Sequence, residues 1–372
     1  MSRTVRALFT LVFLLLLLGL ALPVGLREQQ PVYWWDLGAP AAGLVLLAAA
    51  YAVAQLPQHQ RSAATVAIVL LGLGAAVAPL GLLESDLVPQ AESYGFWCVL
   101  AALVLLAGLG ASQLAALEPS WDWPRHALPL LLGIWALLLW QILVQALEVP
   151  RVLLPAPSLI GSTLVAQWDI LQDDFNITVL HSALVGFCLG CGGGFLLGLW
   201  IDRSPFLQRG LLPVCALASS VPLVGIAPIM VMWFGFDWQS KAAVVALMTF
   251  FPMLVSTFAG LAATGRMELD LMRSYAAGHG RTLLALRLPT ALPFLFNGLK
   301  VASTLALIGA IVAEFFGSPT VGMGFRISTE AARMNMGLVW ATIVVAALCG
   351  TLVYALLAWL ERRTTFWHPS QR

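Results

Sequence analysis

Charged residues are scarce in this chain. They make up 10% of its 372 residues, hydrophobic residues make up 60%, and the mean hydropathy is +0.90. An ordinary soluble domain carries about 25% charged residues, so this composition excludes that class. Lysine occurs only at Lys241 and Lys300, and neither follows the Gly-x-x-x-x-Gly pattern of a phosphate-binding loop. The chain therefore does not encode an ATPase of that type.

Residues that build metal or catalytic centres are also few and dispersed. The histidines lie in distant segments, at His59, His126, His181, His279 and His368. The cysteines fall in or beside apolar stretches, where they suit packing better than a disulfide framework, at Cys98, Cys188, Cys191, Cys215 and Cys349. Asp173 and Asp174 form the one adjacent carboxylate pair, which we expect in a solvated turn. We predict no catalytic residue and no metal site.

Long apolar runs dominate what remains. A bilayer-spanning helix needs about 20 apolar residues, and backbone groups in lipid must be satisfied within the segment. Ten runs fit, at 5–26, 37–56, 63–83, 95–117, 127–147, 178–201, 211–235, 242–263, 292–316 and 338–360. The first run follows Arg3 and Arg6 but lacks a small-residue cleavage site, so we interpret it as a retained anchor. The fold class is thus an all-α integral membrane protein with about ten transmembrane helices.

Charge asymmetry indicates the orientation. With the N-terminus in the cytoplasm, thirteen arginines fall in inner segments and five basic residues in outer segments, with Lys300 inside a span. This distribution follows the positive-inside rule. We therefore expect both termini in the cytoplasm.

The chain divides into two regions by composition. Residues 1–121 hold four Ala- and Leu-rich spans without polar motifs, and we interpret them as an accessory four-helix region. A linker rich in Pro, Trp and charge follows Glu118, and residues 122–372 hold six spans with longer, patterned loops. An extended elbow at 154–158 leads to a predicted surface helix over 159–175.

Two spans of the second region carry distinctive small or ring-constrained residues. The sixth has Gly186, Gly190, Gly194 and Gly198 at four-residue spacing, which places one glycine face against another helix. The seventh is interrupted by prolines, which are tolerated in membranes only against protein or a water-filled cavity. Together with intramembrane polar residues of the sixth and ninth spans, these breaks give the candidate pathway residues His181, Ser219, Ser220, Pro222, Pro228 and Asn297. Glu314 is expected at the outer interface, and Lys300 near enough to the inner end to snorkel.

A basic loop near 265–289 separates two apolar spans. It combines arginines, an apolar face and small residues in its middle. This combination is typical of a segment that docks into a groove on a soluble partner. A plain solvated loop is the alternative. Its candidate contact residues are Asp270, Arg273, Tyr275, Ala276, Ala277, Gly278, Arg281, Leu288 and Pro289. Pro289 is expected to end a short helix before the next span.

The loop resembles the coupling loop of permease subunits in bacterial ABC importers of the nitrate, sulfonate and taurine type. Counting back from Leu288-Pro289, Asp270-Leu271-Met272 falls where that family has Glu-Ala-Ala, and Ala276 falls at its glycine. Other shared features are the run from Leu288 to Lys300, the elbow at 154–158, Trp233-Phe-Gly235, and Glu314 followed by Gly322-Met-Gly324. The resemblance covers about 127–363 and leaves 1–118 unexplained.

The resemblance implies a function and partners. The last six spans would form a type I importer core in the bacterial cytoplasmic membrane, paired with a second permease copy. A cytoplasmic ATPase would grip the loop, and a periplasmic or lipid-anchored binding protein would deliver the solute. This chain would bind no cofactor, with ATP and Mg²⁺ held by the ATPase. Nitrate, a sulfonate or taurine, or a vitamin precursor would be the solute class.

Two other functions stay open on the residues alone. An ion-coupled secondary transporter would call for carboxylates at mid-membrane and an internal repeat, neither of which is evident. A membrane-embedded enzyme would call for a cluster of His, Asp or Glu at one membrane face. Nothing in the composition indicates nucleic-acid binding.

Overall fold

The computed structural model describes residues 3–27, 30–54, 71–84, 93–115, 123–204, 206–210, 222–317 and 320–367. The chain forms two compact units, Met1–Leu159 and Ile160–Arg372. The helix Trp123–Ala146, assigned to the second region from its sequence, packs with the first unit. The boundary predicted at 121/122, between an accessory region and a region that carries the function, stays a prediction.

The first unit is built mainly from apolar helices. Its elements are α1 (Arg3–Ala21), a hairpin of β1 (Gly25–Arg27) and β2 (Gln30–Val32), a 3₁₀ turn (Trp34–Asp36), α2 (Gly38–Ala54), α3 (Val77–Glu84), α4 (Tyr94–Ala115) and α5 (Trp123–Ala146). The strands are antiparallel, with Gly25 opposite Val32. Helices α1 and α4 approach closely because Gly19 and Gly95 lie at their contact. Phe9, Phe96 and Leu103 belong to the core that results.

The second unit contains the longer helices and the patterned loops. Its elements begin with α6 (Pro157–Ala166), which crosses the unit boundary, α7 (Trp168–Phe175), a π-helical segment (Asn176–Ala183) and α8 (Leu184–Asp202). They continue with α9 (Leu223–Phe234), α10 (Trp238–Ala262), α11 (Arg266–Ser274), α12 (His279–Thr282), a second π segment (Leu283–Arg287), α13 (Leu288–Gly317), α14 (Met323–Ala332) and α15 (Met336–Thr364).

Helix α10 is the centre of this unit, because it packs against α8 on one side and α13 on the other. Small residues set both distances. On the α8 side a Cβ at Gly198 would lie 2.8 Å from Thr257, and on the α13 side a Cβ at Gly298 would lie 2.7 Å from Ser256. Thr257 itself donates a hydrogen bond to the Met253 carbonyl, 2.7 Å away, so its hydroxyl is satisfied within the helix.

Six helices in the described part of the chain are long and apolar enough to span a membrane. They are Tyr94–Ser112, Pro129–Ala146, Trp168–Asp202, Trp238–Ala262, His279–Gly317 and Met336–Thr364. Shorter apolar helices lie within four other predicted spans, at Leu8–Ala21, Gly43–Ala52, Leu71–Leu83 and Gly225–Phe234. The all-α membrane class is confirmed, and about ten spans is consistent with these helices.

Two predicted boundaries are wrong. The expected surface helix over 159–175 is divided at Gln167, and its second half continues through the π segment into α8. Pro289 does not end a helix, because α12 continues through a π segment into α13. Proline lacks the N–H that would bond four residues back, and the wider π turn accommodates this loss without breaking the helix.

Candidate functional site

The segment between α10 and α13 projects as an exposed, amphipathic unit. Helix α11 begins after Gly265, against which the Glu268 carboxylate folds back, and it has no buried residue. Asp270 accepts a 2.9 Å hydrogen bond from Arg273, and both side chains are exposed. A surface ion pair of this kind contributes about 0–1 kcal/mol. The loop's shape therefore depends on its backbone more than on its charges.

The backbone turn after α11 is set by Ala276. The Ala276 N–H donates to the Arg273 carbonyl at 2.9 Å, and the Ala277 N–H donates to the Met272 carbonyl at 3.0 Å. This pair of bonds is the Schellman arrangement that closes a helix C-terminus, and it requires a left-handed residue at the first donor. Ala276 has φ 51°, a conformation that glycine adopts at less cost. The structure thus gives a physical reason for a glycine at this position.

The apolar side chains of the loop remain uncovered. Met267 is 79% exposed, Leu271 56% and Tyr275 77%. Their four-residue spacing places them along one side of α11 and its cap. We call Met267, Leu271 and Tyr275 the apolar stripe. Arg266 and Arg273 of α11 and Arg281 of α12 are also exposed.

The other predicted loop residues have simpler positions. Gly278 precedes α12 in extended conformation, with open space where a Cβ would lie. Leu288 and Pro289 form the start of α13 and are half-buried. The predicted second short helix of the loop is therefore the first part of one continuous helix, His279–Gly317.

Arg287 fixes the base of this loop. Its guanidinium donates two hydrogen bonds to the Asp202 carboxylate, at 2.6 and 2.8 Å, and a third to the Leu261 carbonyl at 3.0 Å. Asp202 ends α8, Leu261 lies in the last turn of α10, and Arg287 immediately precedes α13. One side chain thus joins three helices. Sequence reasoning counted Arg287 as a loop charge and missed its partner, since 85 positions separate the two residues.

A buried polar cluster lies at the opposite ends of these helices. Glu314 is 1% exposed and accepts hydrogen bonds from Thr178 Oγ1 and the Gly324 N–H, both at 2.7 Å. Asp174 is fully buried and accepts from the Gly322 N–H and from Arg326 Nε, both at 2.8 Å. The expectation of a solvated turn is wrong for Asp174, whereas Glu314 keeps its expected place near the end of its span and is buried against protein.

The Gly-Met-Gly turn makes this cluster possible. Gly322 has φ 135°, and a Cβ there would lie 2.7 Å from the Glu314 carboxyl carbon. Glycine is the residue that tolerates both the backbone angle and the close approach. The Met323 N–H donates to Thr178 Oγ1 at 2.8 Å, so the turn presents three consecutive backbone donors to buried oxygens.

The two lysines are both engaged. Lys241 is 2% exposed and donates to the carbonyls of Phe236, Asp237 and Gly317, which joins the start of α10 to the end of α13. Lys300 forms a 2.8 Å ion pair with Glu361 and lies 6.0 Å from the Tyr354 ring. Lys300 therefore ties α13 to α15 and does not simply extend to the interface.

The glycine face of α8 lies against α10. All four residues at positions 186, 190, 194 and 198 are buried. A Cβ at Gly190 would overlap Thr249 Oγ1 and the Ala246 carbonyl, and one at Gly194 would overlap the Phe250 carbonyl. At Gly192, by contrast, the space is open. The close approach of the two helices therefore depends on the stripe and not on glycine content as such.

The described candidate pathway residues lie on three different elements, the π segment before α8, α9 and α13. His181 is exposed, with Nδ1 2.8 Å from the Asn176 carbonyl and its ring 6.0 Å from that of Trp238. Pro222 caps α9, Pro228 lies inside α9, and Asn297 lies on α13, all with exposed side chains. Ser219 and Ser220 lie outside the described residues. In the part of the chain that the structure covers, no three His, Cys, Asp or Glu side chains could hold a metal ion.

These features define a polytopic membrane protein with one exposed amphipathic loop tied to the ends of its central helices. The family description "binding-protein-dependent transport system inner membrane component" matches residues 191–366, within the second unit. The chain is 31% identical over 235 residues to a probable ABC transporter permease protein of Haemophilus influenzae, covering 63% of this chain and 95% of that protein. The chain therefore belongs to this family of ABC transporter permeases, and it is an integral inner-membrane protein.

Further relatives carry more specific names. The riboflavin transport system permease protein of Chloroflexus aurantiacus is 30% identical, over 67% of this chain and 92% of that protein. The formylaminopyrimidine transport permease protein of Halalkalibacterium halodurans is 31% identical, over 65% of this chain and 96% of that protein. A sulfonate permease protein and a taurine permease protein also match. The resemblance to the nitrate, sulfonate and taurine type is thereby confirmed.

Proposed function

We propose that this chain is the transmembrane subunit of an ATP-driven importer that moves a small polar solute into the cell. Family membership and the relatives' names support a transport component over a membrane-embedded enzyme. The observation that carries the proposal further is the uncovered apolar stripe on α11. Apolar side chains on a water-facing segment are seldom left exposed without a function. An exposed apolar patch rimmed by polar residues marks an interaction site.

The partner of the stripe would be a cytoplasmic ATPase. The stripe supplies apolar anchors, and exposed charged side chains, among them Arg266 and Arg273 of α11, lie beside it on the same helix. This pairing of apolar centre and charged rim is the usual anatomy of a protein interface. ATP and Mg²⁺ would be held by that partner, because the two lysines of this chain, Lys241 and Lys300, lie outside any phosphate-binding pattern.

The remaining partners follow from the family and from topology. A periplasmic or lipid-anchored binding protein would meet the side opposite α11, and a second permease copy would complete the translocation path. Both termini would face the cytoplasm, as the charge asymmetry predicts. Residues 1–121 would serve as an accessory region. The solute would belong to the nitrate, sulfonate or taurine, or vitamin-precursor class, in keeping with the relatives named for riboflavin, formylaminopyrimidine, aliphatic sulfonates and taurine.

Co-purification tests the proposed ATPase contact. Affinity-tagged wild-type protein, expressed with the genes adjacent to its own, should retain an ATPase subunit that mass spectrometry identifies. Leu271→Glu should lose it, because loss of an apolar anchor costs about 2 kcal/mol, or about a 30-fold weaker complex. Ala276→Glu should act similarly, since it adds a bulky charge at the turn.

A charge change elsewhere provides the control. Arg209 is exposed in the segment after α8 and is not part of the loop, so Arg209→Glu should retain the ATPase. Detergent-solubilised yield and melting temperature should match the wild type for all three variants. Equal ATPase recovery with Leu271→Glu and wild type would contradict the proposed contact.

A further inference from the structure

An open apolar groove lies between α8, α9 and α10 in the second unit. Its volume is about 730 Å³, within the range of about 300–1,000 Å³ that small-molecule sites occupy. Trp233 and Phe234 of α9 form one wall, and Leu189 of α8 lies on the other. The groove is separate from the loop that we propose as the ATPase contact.

Small residues on α10 create the space. Gln239, Ala243, Ala246 and Phe250 lie at intervals of four, three and four residues, so they share one face of the helix and all line the groove. The two alanines leave a channel between a polar residue at one end and an aromatic ring at the other. Larger residues at these positions would fill it.

The length of the groove matches half a bilayer. Gln239 and Phe250 are eleven positions apart, which corresponds to about 16 Å along a helix. A bilayer core is about 30 Å thick, so one leaflet contributes about 15 Å. Helix α10 is itself a candidate span that begins at Trp238. Trp233 and Trp238 both line the groove near this end, where tryptophan suits the membrane interface.

The chemistry of the lining favours a hydrocarbon occupant. No charged side chain lines the groove among the described residues, and Gln239 is the only amide side chain there. A polar solute buried along its length would lose hydrogen bonds to water without replacing them. A saturated chain has no such requirement, and its polar end could remain beside Gln239 and the two indoles.

We propose that this groove holds one acyl chain of a phospholipid from the leaflet opposite α11. The ester region would lie beside Gln239, and the chain end would reach Phe250. The groove would then be a lipid site of long residence that fills the gap between α9 and α10. The proposal is independent of the solute and of the ATPase contact.

A depth-specific crosslink tests it. The purified full-length protein is placed in nanodiscs containing phosphatidylethanolamine with a diazirine at the end of one acyl chain, irradiated and digested. Adducts should concentrate on the α10 peptide around Ala246–Phe250, above the level on the exposed face of α15, where Leu352 is 69% exposed. Uniform labelling of α10 and α15 would indicate bulk lipid only and would overturn the proposal.

A filled-groove variant provides the second measurement. Ala243→Leu should reduce the α10 adduct about fivefold, because overpacking a filled site costs about 1 kcal/mol or more. Val255→Leu is the control, since Val255 lies on the same helix, is 52% exposed and does not line the groove. Equal adduct yield in the two variants would refute the assignment. Displacement of the lipid adduct by riboflavin, used as a flat heterocyclic probe, would also overturn it and identify a solute site.

Discussion

Replacing Ala276 with glycine should stabilise the turn that ends α11. Ala276 occupies the left-handed region at φ 51°, where a non-glycine residue pays about 1–2 kcal/mol. Glycine removes that penalty. It also makes the unfolded segment more flexible, which lowers the stability of the turn by about 0.4–1 kcal/mol. The net gain is about 0.5–1 kcal/mol. Since RT is about 0.6 kcal/mol, the population of the open form of the turn should fall about two- to fivefold.

Amide hydrogen exchange measures this gain directly. The bonds that close the turn are donated by the N–H groups at positions 276 and 277, so exchange of the peptide spanning 272–278 reports their opening. The protein would be exchanged in nanodiscs at constant pH and analysed by mass spectrometry. Protection in Ala276→Gly should rise about two- to fivefold over wild type.

The neighbouring alanine supplies the control. Ala277 is not among the described residues with positive φ, so Ala277→Gly should gain nothing and lose about 0.5–1 kcal/mol of local stability. The reasoning would be refuted if Ala276→Gly exchanged as fast as wild type, or if both variants changed protection in the same direction. Either result would mean that the turn is not held by a left-handed residue at 276.

Two further predictions concern the bundle itself. Gly190→Ala should lower the free energy of unfolding by about 1–3 kcal/mol through overpacking against α10. Gly192→Ala, where the space is open, should raise it by up to about 1 kcal/mol. Equal shifts of the melting temperature in detergent for the two variants would contradict the glycine contact. Asp174→Ala should cost about 3–5 kcal/mol because it leaves Arg326 without its buried partner, whereas Asp173→Ala, at an exposed neighbour, should change stability by about 0.5 kcal/mol or less. Similar urea midpoints for the two aspartate variants would show that the buried pair contributes little.

Local sequence patterns predicted the helices and helix faces that are determined by residues close together in the chain. Continuous hydrophobicity located the spans that became α10 and α15, and four-residue glycine spacing indicated the face of α8 that meets α10. The amphipathic pattern of 266–274 likewise indicated a surface helix, since the exposed side chains alternate with partly covered ones at helical period.

Long-range pairing could not be predicted in this way. Asp174 pairs with Arg326 across 152 positions and Arg287 with Asp202 across 85. A single sequence records that these residues are charged but not which charges meet. Pro289 shows a second limit, because its usual role as a helix terminator is overridden by a π segment that precedes it.

The three-helix attachment of Arg287 has a mechanical consequence. Helix α11 is connected to α10 at one end and, through α12, to α13 at the other, and Arg287 links the ends of α8 and α10 to the start of α13. A displacement at the base of the loop, where Arg287 lies, is therefore shared by three helices, whereas the turn at Ala276 separates α11 itself from this attachment. Weakening the Arg287–Asp202 pair, while leaving the apolar stripe unchanged, would separate the proposed ATPase contact from the coupled movement of these helices.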